Sequence, residues 1–88
     1  MKYYVYVLLS KSSKLKYTYV GWTNNIKKRV ASHNLGSGAK FTRGKKWTLI
    51  HLETYSSKKM AMSREYNLKK DRKYRNLLKN KFESMINT

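Results

Sequence analysis

The chain has no cysteine, no proline, only four glycines and only four acidic residues. Without cysteine it has neither a disulfide scaffold nor a thiolate zinc site. It contains no proline, internal repeat or linker-like segment, which points to one continuous domain over positions 1–88. No apolar run approaches the length of a membrane span, and no signal-peptide core follows Met1. The compartment expected from this is the cytoplasm, or another nucleic-acid-containing space such as a nucleoid or nucleus. Eighty-eight residues lie near the lower limit for one self-sufficient hydrophobic core. They leave no room for a large enclosed cavity, so an active site should be an open groove.

What the chain has in excess is positive charge. Lys and Arg number 21 against four acids, a formal net charge of +17. Self-repulsion on that scale opposes compaction, and a polyanionic partner is its natural counterpart. On duplex DNA each neutralised phosphate would add roughly 0.9 to the log–log salt slope. A membrane surface is the competing polyanion. The basic residues, however, are spread through strand, loop and helix segments and do not gather on one amphipathic helix.

Tyr3 to Leu9 is rich in aromatic and β-branched residues and predicts a strand. The polar stretch SKSSK predicts a turn, with a second strand over Leu15 to Val20, the pair forming an antiparallel hairpin. Asn24 or Asn25 predicts the cap of a helix ending near His33, with Ile26 and Val30 marking its buried side. A glycine-punctuated basic loop then leads to a third strand over Trp47 to Tyr55. Ser56 or Ser57 predicts the cap of a second helix to about Lys70, with Met60, Ala61 and Leu68 as core contacts. Asp71 or Asn76 interrupts it before a final helical piece carrying Leu77, Leu78, Phe82, Met85 and Ile86. The order β-β-α-β-α-α predicts an α+β fold, a three-stranded antiparallel sheet flanked by helices. Which hairpin strand the third one joins stays open.

The segment Tyr4-Val5-Tyr6 and the later Tyr19-Val20-Gly21 resemble the paired signature of the GIY-YIG nuclease superfamily, with Tyr4 where the name has Gly. GWTNNIKKRVASHN is similar to that family's first helix, in which an Arg and a His stand four apart, as Arg29 and His33 do. HNLGSGAKFTRGKK and AMSREYNLKK resemble the loop and the Glu-bearing helix of its short, single-domain branch. Together these motifs span Tyr3 to Lys70. The resemblance implies the GIY-YIG fold and a metal-dependent endonuclease, with Tyr6, Tyr19, Arg29, His33 and Glu65 as the site.

The residue types suit that chemistry. Tyr4, Tyr6 and Leu8 share one strand face, as do Tyr17 and Tyr19, so a matching register would make Tyr6 and Tyr19 cross-strand neighbours. Arg29 and His33 at i and i+4 project from one helix face, pointing away from Ile26 and Val30. Arg offers a planar fork to phosphate, and neutral His a proton relay. His51 has no partner pattern and is read as structural. Glu65 at i and Lys69 at i+4 form a helix pair worth about 0.2–0.5 kcal/mol. A lone carboxylate suits one Mg²⁺ (or Mn²⁺), which keeps waters and accepts phosphate oxygens. Asp71 is the weaker second candidate for that metal.

In the mechanism that the resemblance implies, water attacks phosphorus in line, and metal on Glu65 stabilises charge on the phosphate and leaving oxygen. Tyr6 is the general base, with Tyr19 assisting. A phenolate base needs cations to lower its pKa, and Arg29, Lys27 and Lys28 are the nearest in sequence. Candidate nucleic-acid contacts are Trp22 as a base-stacking residue and Lys27, Lys28, Lys40, Arg43, Lys45, Lys46 and Lys69 on phosphates. The expected substrate is DNA ahead of RNA, cut with structure selectivity or weak sequence preference. Targeting would rest on the groove, the Gly36–Lys46 loop, a homodimer or a partner protein. The competing readings are a nucleic-acid-binding module of the same fold with little turnover, and a small basic ribonucleoprotein component.

Overall fold

A computed structural model describes residues 1–11 and 15–86, excepting the side chain of residue 86. The elements are β1 (Tyr3–Lys11), β2 (Lys16–Thr23), α1 (Ile26–Asn34), a single 3-10 turn (Lys40–Thr42), β3 (Thr48–Tyr55), α2 (Lys58–Lys70) and α3 (Arg72–Ile86). This is the α+β order expected from the sequence, a three-stranded antiparallel sheet with helices on it. Of the predicted SKSSK turn, Ser10 and Lys11 instead continue β1, and the remainder lies outside the described residues.

The strand order is β2-β1-β3, which resolves the placement of the third strand. The physical reason is visible in β1 itself. Val5, Tyr6, Val7, Leu8 and Leu9 are all buried, so both faces of this strand are covered. A strand apolar on both sides takes the centre of a sheet, and the more polar strands take its edges.

Each face of β1 carries its own core. Val5, Val7 and Val20 pack with Ala61 and Leu68 of α2, and Tyr74 and Leu78 of α3 close over them. On the opposite face Tyr6 and Leu8 pack with Trp47, against Tyr17, Tyr19 and the Ile26 and Val30 of α1. β3 contributes a bulge opposite Val7 and Leu8, with Ile50 packed on the Val5 side.

The helix caps follow the residue chemistry. Asn25 Oδ1 accepts from Lys28 N at 3.2 Å and Ser57 Oγ from Met60 N at 3.4 Å. Asp71 is the break between α2 and α3, and its Oδ1 accepts from Tyr74 N at 3.0 Å. Met60, expected in the core, is instead exposed. The inward stripe of α2 is Ala61, Arg64, Glu65 and Leu68, spaced i, i+3, i+4 and i+7, and Met60 falls outside it. Leu77 and Met85 of α3 are likewise exposed.

Two of those four inward residues are charged, so each needs a partner. Arg64 Nε and Nη2 donate to the two carboxylate oxygens of Glu53 on β3, at 2.8 and 3.0 Å. Tyr55 Oη donates to Glu53 at 2.6 Å and His51 Nε2 lies 2.7 Å from it, which gives His51 a structural role. The Arg64 hydrogen bonds outweigh burial and, with Tyr55 and His51, hold the Glu53 carboxyl down at about 2. A depressed carboxyl stabilises the fold above its unfolded value of 4.5, and that contribution is lost as pH falls toward about 2. Glu53→Gln is therefore expected to cost roughly 2–3 kcal/mol in urea unfolding at neutral pH. It should also flatten the acid limb of stability, whereas an unchanged acid limb would contradict this role.

Candidate active site

The site forms on the α1 face of the sheet, where strand register brings an aromatic cluster together. Tyr6 stands opposite Gly21 and Tyr19 opposite Leu8. The two tyrosines are therefore diagonal neighbours on one face, not a directly opposed pair, with ring centroids 6.4 Å apart. The Tyr6 ring lies over Gly21 so closely that a Cβ there would overlap its Oη and Cζ. The glycine that ends the second tyrosine motif is thus the floor on which Tyr6 rests.

α1 covers this face with Ile26, Val30 and His33, spaced i, i+4 and i+7. Contrary to the sequence expectation, His33 points inward with the apolar stripe, and Arg29 sits at the solvent-exposed rim. Their shared helix face is thereby split between interior and surface. The Tyr6 hydroxyl lies 2.9 Å from His33 Nε2, and His33 Nδ1 lies 2.8 Å from Thr42 Oγ1. Thr42 Oγ1 donates its one hydrogen to Ala39 O at 2.8 Å, so toward His33 it accepts. His33 therefore carries its proton on Nδ1, and Nε2 accepts from Tyr6. The result is a directed chain from Tyr6 through His33 and Thr42 to the backbone of Ala39.

Burial, with the Arg29 guanidinium adding to it, lowers the pKa of His33 and keeps the ring neutral. Burial is also the largest influence on Tyr6, pushing its phenol well above the ordinary tyrosine value. Tyr19 and Glu65 push the same way and only Arg29 opposes. The expected lowering by nearby cations is thus outweighed, because Tyr6 is only 1% exposed while the lysines are in solvent.

At the rim, Arg29 and Lys28 line a shallow polar cleft of about 210 Å³ with Thr23, Asn24, Asn25 and Ser32. Glu65 comes from α2 on the other face, half-buried, with Lys69 Nζ 3.5 Å from its carboxylate. Its charge still acts on the Tyr6 phenol. Lys27 borders an apolar groove with Ile26, Val30, Ala31 and Leu49. Lys40, Arg43 and Lys46 are exposed on the loop before β3, and Lys45 lies across Tyr17 and Phe41. Trp22 is the misplaced member of the expected set. It follows Gly21 and so faces the other side of the sheet, packed on Tyr3 and covered by Lys58.

The sequence profile of the GIY-YIG catalytic domain matches residues 2–80. The chain belongs to the GIY-YIG family. That family membership makes it a nuclease-type hydrolase domain in general terms. A UPF0213 protein of Clostridium perfringens is 48% identical over 68 residues, covering 76% of this chain and 70% of that protein. A UPF0213 protein of Staphylococcus haemolyticus is 44% identical over 69 residues, covering 77% and 80% respectively. The solution NMR structure of a UPF0213 protein from Bacillus halodurans superposes with a TM-score of 0.53 at 34% identity, covering 91% of this chain and 84% of that one.

Within this GIY-YIG domain the loop after α1 supplies what sequence reasoning missed. Gly36 at φ 82° ends α1, a conformation open to glycine. Gly38 then passes so close to His33 that a Cβ would overlap Nδ1. The Asn34 side chain bonds the backbone of Trp47 on both sides, at 2.6 and 3.2 Å, and Trp47 Nε1 donates to Thr42 O at 2.9 Å. These bonds hold Thr42 against His33. The run Ile26, Val30, His33 was the available signal for the inward histidine, whereas nothing local marked Thr42.

Among the described residues no three His, Asp or Glu side chains cluster as a metal cage. Glu65 alone fits a hard cation that retains waters and takes substrate oxygens. Asp71 is committed to capping α3.

Long-range ¹H–¹⁵N NMR at neutral pH should find His33 as the Nδ1–H tautomer, and an Nε2–H ring would contradict the chain. Thr42→Val should cost about 1–3 kcal/mol by leaving a buried N–H unpaired, with Thr42→Ser recovering most of it in urea unfolding.

Proposed function

We propose that this chain is a divalent-metal-dependent endonuclease that hydrolyses phosphodiester bonds, in DNA ahead of RNA. The observation that carries the proposal is the 2.9 Å hydrogen bond between Tyr6 and His33, with the Arg29 charge acting on both groups and the Glu65 charge on Tyr6. A basic surface of net charge +17 supports a nucleic-acid substrate.

Arg29 clamps a non-bridging phosphate oxygen at the rim and stabilises the charge that develops there. Tyr6 is a raised phenol, so it does not wait as phenolate. With the attacking water admitted to Tyr6, which is 1% exposed in the free protein, Tyr6 Oη takes the water proton while passing its own to His33 Nε2. His33 becomes a cation only in that step, with Thr42 accepting from its Nδ1–H. The arriving phosphate offsets the Arg29 charge that otherwise lowers the basicity of His33. Tyr19, half-buried with its ring 4.8 Å from His33, keeps the pair aligned. Mg²⁺ or Mn²⁺ held by Glu65 and substrate oxygens would supply Lewis-acid stabilisation of the phosphate. The loop lysines and Arg43 contact backbone phosphates, which favours structure-selective or weakly sequence-specific cutting.

The deep burial of Tyr6 favours one second reading, a binding module of the same fold with little turnover. Incubation with supercoiled, single-stranded and branched DNA, in Mg²⁺, Mn²⁺ or chelator, separates the two. Metal-dependent cleavage should fall by about 10²–10³-fold in Glu65→Ala and in Arg29→Ala. Binding without cleavage on every substrate, unchanged by Glu65→Ala, would contradict the nuclease reading.

A further inference from the structure

An exposed aromatic ring beside the catalytic face marks how the substrate is held. Phe41 is 49% exposed, yet its inner edge is fixed on all sides by other rings. Tyr19 lies near-parallel to it at 6.5 Å and 19°, Trp47 at 6.1 Å, and Tyr17 meets it edge-on at 6.0 Å. Its backbone is fixed as well, since it precedes Thr42, which is bonded to His33 and Ala39. Phe41 is thus a rigid ring presented to solvent one residue from the Tyr6–His33–Thr42 chain.

The free face of this ring is not empty. Lys45 Nζ sits 5.1 Å from the Phe41 centroid and 5.2 Å from that of Tyr17, and donates to Phe41 O at 3.2 Å. Such an ammonium is held weakly at an exposed site and is free to exchange for another partner. Lys40 and Arg43, one residue before and two after Phe41 in the chain, are both exposed. A rigid aromatic plane with a cation at its face and basic residues on the same loop is the arrangement by which proteins hold a base by its face and the strand by its phosphates.

We propose that Phe41 stacks an unpaired nucleobase beside the phosphate clamped by Arg29, and that Lys45 leaves the ring to take a backbone phosphate of the same strand. This makes single strands, flaps and loops the preferred substrate class. In an intact duplex both faces of each base are already occupied by its neighbours. The inference rests on the nucleic-acid partner of the proposed function. It also replaces Trp22, which lies on the far side of the sheet, as the stacking residue.

The test is binding of a labelled short single strand and of a blunt duplex by fluorescence anisotropy, over a series of salt concentrations and with chelator so that nothing is cut. Phe41→Ala and Phe41→Leu should each weaken single-strand binding by roughly 5–150-fold while Phe41→Trp retains it. Duplex affinity should change by less than about twofold in all three, since phosphate contacts carry it. Lys45→Gln should reduce the single-strand salt slope by about 0.7, and Phe41→Ala should leave the slope unchanged. Wild-type binding by Phe41→Leu, or equal losses on duplex and single strand, would overturn the proposal. Cleavage of the same oligonucleotides with Mg²⁺ is scored separately. Cutting without a Phe41 effect sinks the stacking alone, and a Phe41 effect without cutting sinks the nuclease reading alone.

Discussion

The hydrogen bond from Tyr6 Oη to His33 Nε2, 2.9 Å long and fully inside the protein, joins the central strand to the helix that covers it. Much of the surrounding sequence exists to permit it. Gly21 leaves room for the phenol, Gly38 leaves room for the imidazole, and Thr42 fixes which nitrogen of that ring carries the proton. A buried polar pair of this kind is costly unless every donor and acceptor finds a partner, and here each of them does. The same burial sets the chemistry by keeping both groups neutral at rest. In the proposed mechanism the pair moves a proton only when one is supplied and charge arrives to support it.

α2 shows how a charged stripe can serve a small domain. Its inward residues Ala61, Arg64, Glu65 and Leu68 alternate packing with electrostatics. Arg64 is spent on Glu53, binding the helix to β3. Among the described residues Glu65 is ion-paired with the surface Lys69 at 3.5 Å, and its charge acts on Tyr6, the arrangement on which its proposed metal role rests. In a chain with four acids, Glu53 builds the fold on the far face and Glu65 is the one proposed for the metal.

Much of this was legible in the sequence. The elements, their order and the capping roles of Asn25 and Ser57 follow from local residue chemistry, and the tyrosine motifs led to the GIY-YIG family. The central place of β1 was also encoded, in its unbroken apolar run, although strand adjacency is a competition among all three strands. What local reading missed depends on tertiary closure. Thr42 and Phe41 matter only because Asn34 and Trp47 pin their loop. Trp22 was misplaced because one residue along a strand reverses the face. The i, i+4 spacing places Arg29 and His33 on one face, whereas His33 completes the Ile26–Val30 stripe and so turns inward. Cations close to Tyr6 in sequence do not lower its pKa on balance, because burial dominates at 1% exposure.

The most direct test of a neutral Tyr6–His33 relay is the ionisation of Tyr6 itself. It can be followed by ¹³Cζ tyrosine NMR across alkaline pH and assigned by difference from Tyr6→Phe. The account predicts that Tyr6 remains a phenol beyond the ordinary midpoint of 10.0. Ionisation of Tyr6 below that midpoint would show a preformed phenolate base and contradict the relay.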